Sequence, residues 1–265
     1  MNRLDTFIWN DGLMDPSGVR LMKPRSQGMT MVIDKGLGIS AFSDLLSLST
    51  PYIDFIKLGF GTSVLYPPPI LQDKLCIARE RGVILYPGGT FFEVAYQKNE
   101  IHTYLDSLRN LGFDYVEISD GTISLTNEER CQFIFEAKNR GFQVITECGK
   151  KAQGSILNID ELEETLYSDV ECGAAYVIVE GRETGKNAGI YDKEGDLDEG
   201  FLEEIKTRIS SDLLQRLIWE APLKKQQVCL IESFGRNVNI GNIPGIDVFS
   251  LECLRRGLRS DTFPI

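Results

Sequence analysis

Histidine is almost missing from this chain, with His102 the only one among 265 residues. It falls in residues 99–111, a stretch with helical spacing, so a surface position is expected for it. Ser-His-Asp and Cys-His catalysis therefore lack their usual base. Acid–base work is left to Lys, Glu, Asp, Tyr or Cys. No GxGxxG, GxxxxGK[ST] or HExxH is present, which removes the signatures of dinucleotide binding, P-loop chemistry and zincin hydrolysis. The six cysteines (Cys76, Cys131, Cys148, Cys172, Cys229 and Cys253) show no CxxC and no zinc-like spacing. No apolar run approaches the roughly 18 residues of a membrane span, and the first residues, MNRLDTFIWNDG, lack the apolar core of a signal peptide. A cytoplasmic protein with reduced thiols is expected, with Cys148 a small buried filler. Positive charge is scarce too. Lys and Arg number 28 against 39 Asp and Glu, for a net charge of −11. That balance argues against partners that need a cationic footprint, namely nucleic acid and anionic membrane. An anionic ligand must instead be met by a local cluster of Lys and Arg.

What the chain does contain is a repeated unit, a short apolar run ending in charged or glycine residues. The runs are 29–33 (MTMVI), 53–56 (IDFI), 83–85 (VIL), 115–118 (YVEI), 144–146 (VIT), 176–179 (YVIV), 228–231 (VCLI) and 246–249 (IDVF). Continuous Val/Ile/Tyr-rich runs of this length read as parallel strands buried on both faces. Helical stretches are expected between them at 40–49, 69–81, 99–111, 126–140, 160–171, 200–209 and 251–258, with a further one at 211–219. The segment from Thr126 to Glu129 has the form of a capping box. Eight strand–helix units with polar strand ends describe an α/β chain forming one (β/α)₈ TIM barrel, its active site at the carboxyl ends of the strands. The barrel is expected over 29–265, after an N-terminal extension at 1–28 that closes its floor or packs on a neighbour. A homo-oligomer is expected.

Three glutamates stand on neighbouring expected strands or at their ends: Glu117, Glu147 and Glu180. Buried carboxylates are costly unless paired or bound to a cation, and oxygen ligands converging from three strands suit Mg²⁺. Asp34 and Asp120 are possible further ligands. Basic residues share these strand ends: Lys35, Lys57, Lys150, Lys151 and Arg182. Lys35, Lys57 and Arg182 are the candidates to meet an anionic substrate. Gly88 and Gly89 could offer free amides to a phosphate, as could Ser233 and Gly235 in the loop expected after strand seven. Residues 181–200 form a long polar loop with five glycines, placed where a lid or substrate clamp would sit.

Several strand-end strings are similar to those of phosphosulfolactate synthases. They are Val32-Ile33-Asp34-Lys35-Gly36, Phe55-Ile56-Lys57-Leu58-Gly59-Phe60-Gly61-Thr62-Ser63, Tyr86-Pro87-Gly88-Gly89-Thr90 and Val116-Glu117-Ile118-Ser119-Asp120-Gly121. Thr146-Glu147-Cys148-Gly149-Lys150-Lys151, Val179-Glu180-Gly181-Arg182-Glu183-Thr184-Gly185 and the run from Ser250 to Arg259 resemble the family as well. The resemblance extends from about residue 28 to the C-terminus. It implies a (β/α)₈ barrel and a carbon–sulfur lyase with Mg²⁺ as cofactor. The implied reaction adds sulfite to phosphoenolpyruvate to give (2R)-3-phosphosulfolactate, a precursor of coenzyme M in methanogens. It also implies a lysine general acid, assigned to Lys151 with Lys150 in support. Burial beside a cationic neighbour would lower the pKa of Lys151 toward the working pH. Two other readings stand beside this one. The chain could be another barrel lyase or aldolase acting on a phosphorylated enol, or a catalytically silent relative that binds a metabolite.

Overall fold

The computed structural model describes residues 9–152 and 154–263. Eight parallel strands form a nearly closed barrel: β1 (Thr30–Asp34), β2 (Phe55–Leu58), β3 (Ile84–Pro87), β4 (Tyr115–Ile118), β5 (Gln143–Cys148), β6 (Tyr176–Val179), β7 (Leu217–Glu220) and β8 (Ile240–Pro244). Hydrogen-bonded neighbours run β3-β2-β1-β8-β7-β6-β5-β4. The strands β3 and β4 lie side by side and complete the ring.

Around it stand α1 (Asp11–Met14), α2 (Ile39–Ser49), α3 (Pro68–Glu80), α4 (Thr90–Gln97), α5 (Ile101–Leu111), α6 (Asn127–Asn139) and α7 (Ile159–Cys172). The set continues with α8 (Glu199–Arg208), α9 (Ser211–Leu214), α10 (Lys224–Phe234) and α11 (Val248–Arg256). The expected capping box is formed, with the Thr126 hydroxyl accepting from Glu129 N and the Glu129 carboxylate accepting from Thr126 N. That places the start of α6 beside the end of β4. None of the helices described is long and apolar enough to cross a membrane.

The first six strands stand where the apolar runs place them. The last two do not. Residues 228–231 lie inside α10, and 246–249 lead into and begin α11. Four apolar residues in a row fit a strand or one buried helical turn equally well. Here the buried set Gln226, Gln227, Leu230, Ile231 has helical spacing. The true β7, LIWE, falls in the stretch expected as helix 211–219. The true β8, IGNIP, contains Gly, Asn and Pro, which are depleted in strands.

Alternation along the strands sorts their side chains into two cores. Outward positions such as Val32, Ile56, Val116, Val144, Val177 and Leu217 pack against the helices. Inward positions Met29, Met31, Phe55, Tyr86, Ile145, Ile178 and Ile218 fill the lumen. Below this plug, residues 15–28 cross the floor. Lys23 Nζ donates to the carbonyls of Thr50, Ile53 and Gly82. Arg25 pairs with Asp54 at 2.7 Å and Arg20 with Glu252 at 3.1 Å.

Cys131 of α6 and Cys172 of α7 are joined by a disulfide, which corrects the expectation that all six thiols are reduced. Packing of the two helices brings Cα atoms 41 positions apart in sequence to 5.5 Å, a proximity that no local spacing reveals. Cys76, Cys148, Cys229 and Cys253 are free.

Candidate active site

On five of the eight strands the residue two positions beyond an apolar lumen position is charged. Phe55 is followed by Lys57, Tyr115 by Glu117, Ile145 by Glu147, Ile178 by Glu180 and Ile218 by Glu220. All five charged side chains are buried, so the carboxyl-end mouth of the barrel carries a charged layer resting on an apolar plug. Lys57 Nζ stands at its centre, 2.8 Å from Glu220 Oε1, 3.3 Å from Glu117 Oε2 and 3.5 Å from Glu147 Oε2. Burial opposes its charge, but the three carboxylates outweigh that cost and hold Lys57 protonated well above the ordinary lysine range.

The second ammonium group is Lys151 Nζ, 2.6 Å from Glu147 Oε1 and 3.1 Å from Glu93 Oε1. It also donates to Ser119 Oγ at 3.0 Å. Its stem passes over residue 121, where a Cβ would come within 2.8 Å of Lys151 Cγ. Only glycine fits there. Glu93, buried on α4, also accepts from the hydroxyls of Ser119 and Thr122 and from Gly121 N. Burial disfavours the Lys151 charge, yet Glu147, Glu180 and Glu93 raise its pKa above the usual lysine value. The expected lowering of that pKa is not what the geometry produces, because the nearest neighbours of Lys151 are anions.

The carboxylates fall into two groups. Burial works against the charge of Glu147, but Lys151, Lys57 and a hydrogen bond from Ser119 overcome it and keep the group ionised below the usual range. Burial lifts Glu117 to about 7; Lys57 offsets part of that lift and Glu147 adds to it. Burial, with repulsion from Glu147 and Glu220, pushes Glu180 well above the ordinary carboxyl range. Glu117 Oε2 and Glu180 Oε2 are buried without a hydrogen-bond partner.

One oxygen from each of Glu147, Glu180 and Glu220 lies within 4.8 Å of the others. This trio differs from the expected set by one member. Glu117 turns instead to Gly89 N at 2.7 Å and to Lys57. Glu220 takes its place, held by Gly181 N at 3.1 Å. Glu220 lies outside the expected set because β7 was expected eleven residues later, at 228–231 rather than 217–220, and Glu93 because it sits on a helix. The signal for Glu220 was present, a carboxylate two positions beyond an inward apolar residue.

Among the other expected site residues, Lys35 is exposed at the end of β1 and leans over Gly59, where a Cβ would meet Lys35 Cγ at 3.4 Å. Arg182 follows β6 half-buried, its backbone N donating to Glu180 Oε1 at 2.6 Å. The amides of Gly88 and Gly89 are already taken, by Leu58 O and Glu117 Oε1. They form no free anion cradle. At residue 89 a Cβ would lie 2.5 Å from Ser119 Cβ, so that glycine serves close packing. Ser233 and Gly235 stand at the far end of α10, beside Arg236, whose carbonyl accepts from the buried Arg255. They belong to the floor, because the helix runs downward after β7. Lys57, expected to meet an anion, is enclosed by carboxylates.

Lys150 points outward to Asp120 at 2.6 Å, and Arg130 of α6 ties Asp120, Asp169 and Glu147 O together. Asp34 is occupied by Lys74 and by the amides of Gly36 and Leu37. Cys148 packs in the outer core, its thiol pushed up to about 12 by burial. His102 is exposed against Glu136. The 181–200 loop is folded down. Gln226 donates to Gly185 O and Gly195 O, Tyr191 OH to Glu220 O, and residues 154–157 pair with it along the backbone.

A (β/α)₈ barrel with a buried layer of carboxylates and lysines at its catalytic face has the architecture of an enzyme. The fold alone is shared with 3-hexulose-6-phosphate synthase, whose crystal structure superimposes with a TM-score of 0.50 at 15% identity, covering 89% of this chain and 94% of that one. Residues 18–261 match the family described as (2R)-phospho-3-sulfolactate synthase (ComA). The chain is 42% identical over 242 residues to the phosphosulfolactate synthase of Methanothermobacter thermautotrophicus, covering 91% of this chain and 93% of that protein. It is 44% identical over 239 residues to that of Methanocaldococcus jannaschii, covering 89% and 94%. The chain belongs to the (2R)-phospho-3-sulfolactate synthase family.

Proposed function

We propose that the chain is a carbon–sulfur lyase that adds sulfite to phosphoenolpyruvate with Mg²⁺ as cofactor, giving (2R)-3-phosphosulfolactate. The observation that carries this reading is a charge imbalance. The buried mouth holds five carboxylates, Glu93, Glu117, Glu147, Glu180 and Glu220, against two ammonium groups, Lys57 and Lys151. Such an excess demands protons or a cation. Glu147, Glu180 and Glu220 fit a hard divalent ion, since all are oxygen donors within reach of one point and Glu180 Oε2 has no other partner. When bound there, the ion supplies positive charge to the substrate carboxylate as negative charge develops on it.

The chain's own residues do the rest. Lys57 holds Glu117, Glu147 and Glu220 around one ammonium and helps keep Glu147 ionised, and the apolar plug closes the lumen beneath them. The sulfur lone pair of sulfite forms the C–S bond at C3 of phosphoenolpyruvate, and the displaced π electrons move toward the carboxylate. Lys151 then delivers a proton to C2, completing the addition without loss of any group. Glu147 and Glu180 hold that proton on Lys151, so commitment of their charge to a cation eases its release. Sulfite carries its own nucleophilic pair, and the chemistry needs no histidine base. Lys35 and Arg182, at the rim, are the cations left to meet the substrate anions.

A Schiff-base aldolase fits less well, because it needs a lysine that is neutral near the working pH, and both mouth lysines are held protonated. The test is incubation with phosphoenolpyruvate, sulfite and Mg²⁺, followed by mass spectrometry. The expected result is a product at the summed mass, lost in excess chelator and restored by Mg²⁺. No product with metal present, or full turnover in chelator, would overturn the reading.

A further inference from the structure

Strand β8 breaks the inward–outward alternation at one place. Against β1, Thr30 faces Ile240 but Val32 faces Ile243, so β8 spends three steps where β1 spends two. One extra residue is therefore inserted between Ile240 and Ile243, both of which pack in the outer core with the helices. Gly241 faces the lumen, since a Cβ there would meet Met31 Cε at 2.4 Å and Ile218 Cγ2 at 3.1 Å. The inserted residue is Asn242, in the left-handed region at φ 54°. Its neighbour Gly241, on the lumen side, has no side chain to fill the space beside it. Its side chain is only 3% exposed, and Oδ1 is buried without a hydrogen-bond partner.

We infer that Asn242 is a substrate-contacting residue, its carboxamide hydrogen-bonded to an anionic oxygen of phosphoenolpyruvate. The inference rests on the reaction proposed above and adds a residue to it. The carboxylate trio lies on β5, β6 and β7, while Lys35 reaches the mouth from β1. Strand β8 stands between β7 and β1, and Glu220 of the trio is the register partner of Gly241, the residue before Asn242. Of the two proposed substrates, the three-carbon phosphate ester carries two anionic groups several bonds apart, so one can sit at the trio while the other meets a neighbouring strand. A half-turn about χ2 exchanges Oδ1 and Nδ2, so the carboxamide can offer a donor to an anionic oxygen from the same place. The burial of an unpartnered amide is costly in the empty protein and is relieved by such a ligand.

Asn also tolerates the left-handed region better than most residues, and that alone could explain its presence. Asn242→Gly separates the two roles, because glycine keeps the backbone freedom and removes only the carboxamide. The expected result is an unchanged melting temperature, a KM for phosphoenolpyruvate raised about tenfold or more, and kcat and the sulfite KM within about twofold. Asn242→Asp, with the same shape but a negative charge in place of the donor, should raise that KM further. Wild-type constants in Asn242→Gly, or a fall in kcat with KM unchanged, would overturn the assignment. If the unsubstituted protein shows no turnover, the reaction itself fails. Calorimetric titration of both proteins with phosphoenolpyruvate and Mg²⁺ then decides, and equal affinities count against Asn242.

Discussion

The barrel carries buried charge at both ends, and the two ends solve it differently. At the floor, cations dominate. Arg20, Lys23, Arg25 and Arg255 are matched by Glu252, Asp54 and a ring of backbone carbonyls. At the mouth, five carboxylates face two lysines; Glu180 Oε2 and Asn242 Oδ1 have no hydrogen-bond partner, and Glu117 Oε2 has only the Lys57 ammonium at 3.3 Å. The floor also leaves two buried donors without a hydrogen bond, Arg255 Nε and Arg20 Nη2, the latter still facing Glu252 at 3.1 Å. Its surplus, though, is of cations held mostly by the chain's own carbonyls, and it works as a closure. The mouth keeps unspent acceptors, which costs folding energy and leaves capacity for ligands. Between them the apolar plug of Met31, Phe55, Tyr86, Ile145, Ile178 and Ile218 separates the two.

That contrast can be broken in order of effect. Lys151→Ala at the mouth should lower kcat by about 10² to 10⁴ while leaving the fold intact, the range general-acid catalysis supplies. Lys151→Arg should recover little of it, since a guanidinium holds its proton too firmly. Steady-state kinetics beside thermal melts would check this, and near-normal kcat in either variant would remove Lys151 from the acid role. At the floor the effects should be reversed. Arg20→Ala leaves Glu252 with Arg256 as its remaining partner at 2.8 Å but removes the buried pair and the bond to Gly28 O. It should cost about 1–3 kcal/mol of stability, with kcat per folded molecule unchanged. Denaturant unfolding is the readout, and a loss of kcat in the folded fraction would erase the distinction between the ends.

The smallest expected effect is a pH dependence. Glu117 has its folded pKa raised from 4.5 to about 7, so between those values the native state binds more protons than the unfolded chain. Stability contributed by this group is therefore present below about pH 4.5 and lost as pH rises toward 7, by on the order of 3 kcal/mol. Glu147, shifted the other way, is ionised in both states above pH 6 and adds no slope there. Glu180, raised by burial and by Glu147 and Glu220, adds a decline of the same sign. Unfolding of the metal-free protein from pH 5 to 7 should therefore show the combined decline, and Glu117→Gln should make it shallower without abolishing it. An unchanged slope in that variant would assign the decline elsewhere.

Six of the eight strands were legible because their apolar runs are long enough and end in polar clusters. The two that were not show where local reading fails. VCLI is continuous but helical, while IGNIP is a strand made of poor strand formers. Glu220 was lost with β7, and Ser233 and Gly235 were assigned to the mouth for the same reason. Glu117, Glu147 and Glu180 were legible as carboxylates in buried strands. The company each keeps was not.

The sequence by itself determined the repeating strand–helix plan, the gathering of charged residues at the ends of apolar runs, and the near absence of histidine as a base. These follow from local periodicity, which needs no long-range information. Only the tertiary structure decided that Glu220 joins Glu147 and Glu180, that Lys57 sits among anions, and that one inserted residue in β8 leaves Asn242 buried with an unpartnered carboxamide. Those outcomes depend on the stagger between strands far apart in the chain, and a distance set by ring closure is written in no single segment.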